Sequence, residues 1–156
     1  MHNKSNVKVI LVCGLPGSGK TTTSKQIEKS LGGVRFCPDD WMDAVIGTHN
    51  DNPFRDKLER RMEDFAIELA KHGISSVLEF GFWSKKHRYD VKNRANEAGI
   101  YTELIYIDVP LLELKRRITE RNKQVAPDQP HIDIKDLEAW FKSFEPPSTE
   151  EAPTCY

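Results

Sequence analysis

VILVCGLPGSGKTTTSKQIEKSL, from Val9 to Leu31, sets an apolar run, a glycine-rich bend and a helical pattern in immediate succession. Val9 to Cys13, with Val7 before them, read as a strand, and Lys20 to Leu31 reads as a helix. Between them GLPGSGKT, Gly14 to Thr21, fits G-x-x-x-x-G-K-[ST]. In that pattern backbone N–H groups wrap phosphate oxygens while the positive end of the next helix faces the same anion. Gly14, Gly17 and Gly19 let the loop visit positive φ and bring its backbone against a ligand. The candidate nucleotide-binding residues are therefore Gly14, Leu15, Pro16, Gly17, Ser18, Gly19, Lys20, Thr21 and Thr22. Lys20 would reach the β- and γ-phosphates, and the Thr21 hydroxyl would sit on Mg²⁺. The alternative is a strand-to-helix turn that binds nothing. A dinucleotide-type G-x-G-x-x-G is not matched, so the reading is a nucleoside triphosphate with Mg²⁺.

Composition narrows the class. A chain of 156 residues suits one domain, expected over 1–147, with a flexible tail over 148–156. At 38% hydrophobic and 30% charged residues, with no apolar run near the ~20 residues of a membrane span, it reads as a soluble protein of the cytoplasm. The N-terminus MHNKSN lacks the apolar core of a signal peptide. Cys13, Cys37 and Cys155 show neither a disulfide framework nor zinc spacing. A net charge of −1 gives no general reason to expect nucleic acid or an anionic membrane as partner. A monomer or weak homodimer is expected.

Downstream, Val34 to Cys37 reads as a second strand ending at Pro38, and Asp39-Asp40-Trp41-Met42 opens a helical turn. Thr48 to Pro53 reads as a loop. Phe54 to Lys71 carries apolar residues at three- and four-residue spacing, an amphipathic helix. Ile74 to Phe80 is a third strand, Lys85 to Ala98 a charged helix, Tyr101 to Val109 a fourth strand, and Leu111 to Arg121 a helix. Asn122 to Pro130 reads as a mobile loop, the body of a small lid over about 122–131, before a helix from Ile132 to Phe144. Such alternation implies an α/β architecture of three layers, a parallel sheet with helices on both faces. Ligands then gather at the carboxyl ends of the strands.

Phosphoryl transfer needs a phosphate cradle, a metal, a base for the attacking hydroxyl, and positive charge for the transition state. Asp39 and Asp40 follow the second strand, where either could face the γ-phosphate; two acids at a helix start also serve as caps. Glu79 ends the third strand, where an acid can hold Mg²⁺ through water or simply face solvent. Arg117 and Arg121 share one helix face directly before the lid, placed to swing onto phosphates, although such a pair is also what a solvated face carries. Phe82 and Trp83 could line an acceptor pocket or pack beneath the next helix. Lys85, Lys86, His87 and Arg88 read as a solvated helix start.

CGLPGSGKTT, CPDDWM, DVPLLELKRRITERN and IDIKDLEAWFKSFEPP together make the chain resemble the small P-loop kinases. That family includes the kinase domain of phage-type polynucleotide 5′-hydroxyl kinases and, more distantly, the zeta-toxin and chloramphenicol phosphotransferase kinases. The resemblance implies ATP as the donor, Asp39 as the base, and Arg117 and Arg121 as lid arginines on the triphosphate. Met42 stands where the polynucleotide kinases use a basic residue toward the substrate, and FGFWSKKHR is unlike theirs. The expected activity is transfer of the γ-phosphoryl group to a hydroxyl of a small metabolite, nucleoside-like compound or antibiotic. A polynucleotide 5′-hydroxyl kinase is the first alternative, with nucleic acid the less favoured partner. A non-catalytic nucleotide-operated switch is the second.

Overall fold

A computed structural model describes residues 7–48, 52–125 and 131–156. Five strands form one wholly parallel sheet in the order β2-β3-β1-β4-β5. They are β1 (Lys8–Cys13), β2 (Val34–Phe36), β3 (Ser76–Gly81), β4 (Tyr101–Tyr106) and β5 (Thr154–Cys155). Among the described residues six α-helices accompany them: α1 (Lys20–Leu31), α2 (Pro38–Ile46), α3 (Asn52–Lys71), α4 (Lys85–Glu97), α5 (Leu111–Gln124) and α6 (Ile134–Ser143).

Central β1 is covered on both sides, which is why its sequence does not alternate. Val9, Leu11 and Cys13 point into one core layer with Leu78, Phe80, Met62 and Ala66 of α3, Val91 of α4, and Leu114 and Ile118 of α5. Ile10 and Val12 point the other way, with Val77, Ile105 and Ile107, against Ile27 and Leu31 of α1. The result is the expected three-layer α/β arrangement. Along β1 and β3 the register slips between Leu11 and Cys13, so that Cys13 pairs with Gly81 where both strands reach the glycine loop.

Element bounds differ from expectation mainly at ends. α3 begins at Asn52, inside the stretch expected to be loop, with Pro53 in its first turn, where a missing N–H costs nothing. α5 runs to Gln124, three residues into the expected lid, and residues 126–130 of that lid lie outside the described residues, as do 49–51. The tail departs most. Rather than hanging free, Thr149–Glu151 form a single 3₁₀ turn closed by a Ser148–Glu151 capping box, and β5 adds to the edge of β4. Glu151 is buried at 8% exposure against Arg88, which anchors the segment.

Candidate functional site: a phosphate loop ringed by carboxylates

β1, β3 and β2 are neighbours, so the segments that follow them converge at one end of the sheet. The loop after β1 is tied to the end of β3 by the Gly14 N–H, which donates to the Gly81 carbonyl over 3.0 Å. A side chain at Gly17, at φ 81°, would press on Ile118, whereas Gly19, at φ 104°, has open space on its side-chain face. The loop is therefore closed toward α5 and open where the helix α1 begins. Lys20 Nζ donates to the Leu15 carbonyl at 2.9 Å. Burial lowers its ammonium pKa, opposed by the charges of Glu79 and Asp39.

Thr21 Oγ1 donates to Glu79 Oε1 at 2.5 Å, and the other Glu79 oxygen accepts from Arg35 Nη1 at 2.5 Å. The second arm of Arg35 donates to Asp40 Oδ2 at 2.6 Å. Arg35 is 11% and Glu79 5% exposed at the side chain, so this pairing is screened from water. Burial works to lower the Arg35 pKa, but the Glu79 and Asp40 hydrogen bonds outweigh it and raise it. Asp39, one residue along α2, faces the other way and accepts from Arg55 Nη1 of α3 at 2.6 Å, while Arg55 Nε donates to Glu59 at 2.9 Å. The acid pair is thus divided between two arginines.

Over the loop, Arg117 Nη1 lies 3.2 Å from the Ser18 carbonyl and 3.4 Å from that of Gly17, with its Nε on Glu113 at 2.7 Å. Glu113 is held down at about 2 by its hydrogen bonds to Arg116 and Arg117. Arg121, one turn further along α5, is exposed. The structure thus brings Lys20, Thr21, Asp39, Asp40, Glu79 and Arg117 around the loop.

Phe82 does not join them. It is 1% exposed, stacked on Phe80 at 5.3 Å, and its ring belongs to the core rather than to an acceptor pocket. Its backbone sits at φ 49°, a conformation that costs a non-glycine residue, and Leu78 and Phe80 already alternate onto the same face. Trp83 is partly buried against Trp140 and lies close over Gly81, so of the aromatic pair it alone stays near the loop. Arg88, expected on a solvated helix start, is 2% exposed. Its guanidinium makes four hydrogen bonds, two to Glu151 and one each to the carbonyls of Phe82 and Glu145. Sequence reading also missed Arg35 and Arg55. Met42 carried a signal for the second: Arg55 Nη1 stands 3.7 Å from the Met42 sulfur, so the positive charge absent at that position arrives from α3.

For Mg²⁺, the donor set fits. The Thr21 hydroxyl and the Glu79 carboxylate are hard oxygen donors at one spot, and among the described residues no group of three or more His, Cys, Asp or Glu side chains could form a cage. Mg²⁺ characteristically takes one or two protein oxygens and completes its shell with phosphate and water. When bound, it would neutralise charge on the β- and γ-phosphates.

Fold and site together define a P-loop protein of the kinase type, with its acids presented at the strand ends. A family model described as an AAA domain (AAA_33) matches residues 9–147, and the chain belongs to that family. It is 29% identical over 110 residues to the adenylyl-sulfate kinase of Myxococcus xanthus (strain DK1622), covering 66% of this chain and 58% of that protein. Among solved structures it is similar to a putative kinase from Chloroflexus aurantiacus, with a TM-score of 0.74, 21% identity, and coverage of 92% and 83% of the two chains. It also resembles a chain of the Pnkp1/Rnl/Hen1 RNA repair complex, with a TM-score of 0.65 and 22% identity, covering 92% of this chain and 49% of that one. No helix among the described residues is long and apolar enough to cross a membrane.

Proposed function

We propose that the protein transfers the γ-phosphoryl group of ATP to a hydroxyl of a small-molecule acceptor. One observation carries the reading: acids from the ends of β2 and β3 converge with Lys20 and Thr21 on the loop that follows β1. In this reading the loop N–H groups and Lys20 hold the β- and γ-phosphates, and Thr21 with Glu79 hold Mg²⁺. Asp39 takes the proton of the attacking hydroxyl. Arg117, already over the loop, and Arg121 offset the charge that grows on the transferring group. Trp83 faces the acceptor side, while Asp40, held by Arg35 together with Glu79, borders the metal side. Arg55 supplies a cation beside Asp39, which suits an acceptor that carries negative charge of its own. The similarity to an adenylyl-sulfate kinase supports a nucleoside-like acceptor of that kind.

A 5′-hydroxyl polynucleotide is the second reading, favoured by the likeness to a chain of the RNA repair complex. Labelled ATP with Mg²⁺ and a panel of adenylyl sulfate, nucleosides, sugars, antibiotics and 5′-hydroxyl oligonucleotides separates the two. Label on a small molecule, with turnover insensitive to salt, supports the first. Label on the oligonucleotide, with activity falling steeply as salt rises, supports the second. Label released only as inorganic phosphate would overturn both.

A further inference from the structure

We propose that Arg35 is a positioning residue for the metal side of the site, aiming the Glu79 carboxylate at the cation; this rests on the reading that Thr21 and Glu79 hold Mg²⁺. Glu79 emerges from β3 as a single carboxylate on a flexible stem, and nothing in its own strand fixes its rotation. Arg35, on the neighbouring strand β2, fixes it from one side at 2.5 Å while Thr21 fixes the other oxygen. The same guanidinium reaches Asp40 at the start of α2, so one rigid, planar fork spans two carboxylates from two elements. A lysine offers a single ammonium nitrogen instead of that planar fork, so it cannot hold both carboxylates in the same geometry. Because Arg35 and Glu79 are both largely shut off from water, solvent does little to weaken their pairing. Carboxylates that hold a cation through water depend on such outer partners for their orientation, and losing the partner characteristically weakens the metal about 10- to 100-fold.

The test measures ADP binding by calorimetry, once in EDTA and across a Mg²⁺ titration, for wild type, Arg35→Ala, Arg35→Lys and Glu79→Gln. Thermal unfolding is recorded alongside. The expected result is that Arg35→Ala loses about 10- to 100-fold in Mg²⁺ affinity of the ADP complex, while ADP affinity in EDTA stays within about twofold of wild type. Arg35→Lys should recover only part of the loss, and it carries the test if the alanine variant does not fold. A folded Arg35 variant with wild-type Mg²⁺ affinity, while Glu79→Gln loses it, overturns the assignment to Arg35 and leaves the metal reading standing. Unchanged Mg²⁺ affinity in Glu79→Gln overturns the metal reading and this proposal with it. Equal losses of ADP affinity with and without Mg²⁺ would mark Arg35 as merely structural and also overturn the proposal.

Discussion

Asp39 and Asp40 are adjacent in the chain yet face different partners, Arg55 on one side and the Arg35–Glu79 pair on the other. The division gives them separable phenotypes. Asp39→Asn keeps shape and removes the base, so acceptor phosphorylation should fall by about 10²- to 10⁴-fold with ATP binding retained. Asp40→Asn should cost less and should show itself in Mg²⁺ dependence. Steady-state kinetics across a Mg²⁺ series checks both, and full activity in Asp39→Asn would move the base elsewhere. Arg117→Ala should lower kcat by roughly 10²-fold with little change in ATP affinity, because its guanidinium already lies over the loop and acts on transition-state charge. A loss confined to KM would make it a ground-state ligand. The loop residues were legible in the sequence because their chemistry is local: the spacing from Gly14 to Thr21 is itself the cradle. Arg35 and Arg55 were not, since the site acids they hold, Glu79 and Asp39, lie 44 and 16 residues away and meet them only through the pairing of β2 with β3 and of α2 with α3.

Between α3 and α4 runs a charged clasp built on a buried acid. Glu63, 2% exposed, accepts from His87 Nε2 at 2.5 Å and from Arg94, and Arg60 reaches Asp90 at 2.9 Å. Burial lowers the His87 pKa, but the hydrogen bond and charge of Glu63, with Glu59 and Asp90 behind, outweigh it and raise the value above its ordinary 6.5. A histidine whose folded pKa is raised gives stability that is fully present below the unfolded value and is lost as pH rises through the folded one. His87→Gln should therefore lower the unfolding free energy more at pH 6 than at pH 9, read from paired denaturant curves. Equal losses at both values would mean that the imidazole acts by packing on Phe82 rather than by charge. The helices themselves were readable from periodicity, and the structure adds a cap on α4 at Ser84, whose hydroxyl accepts from the His87 N–H. Their ionic contacts were not, because the same charges on an isolated helix read only as a solvated face.

Across the whole molecule, the tail behaves as a strut. Glu151 meets both Nε and Nη2 of Arg88, whose Nη1 holds the carbonyls of Phe82 and Glu145, so the last residues brace the segment after β3 that supports the glycine loop. Removing one partner of a buried pair strands the other charge, at a cost of about 3 to 5 kcal/mol. Glu151→Ala should accordingly lower Tm on the order of 10 °C, measured by calorimetry, and an unchanged Tm would show the tail to be dispensable. Its proline- and glutamate-rich composition reads as disorder because neither the buried acid nor the two-residue strand leaves a periodic trace. The placement of β5 also bears on labelling chemistry. Cys13 and Cys37 are buried and Cys155 is exposed, so a maleimide dye offered to the unaltered protein should settle on one thiol. Cys155 pairs with Tyr106, which pairs with Cys13 just ahead of the loop, so the dye would hang two strand spacings away, about 10 Å along the sheet. Its emission should then change as ATP and Mg²⁺ are titrated in, and an unchanged emission at saturating nucleotide would show that the edge strand does not sense the loop.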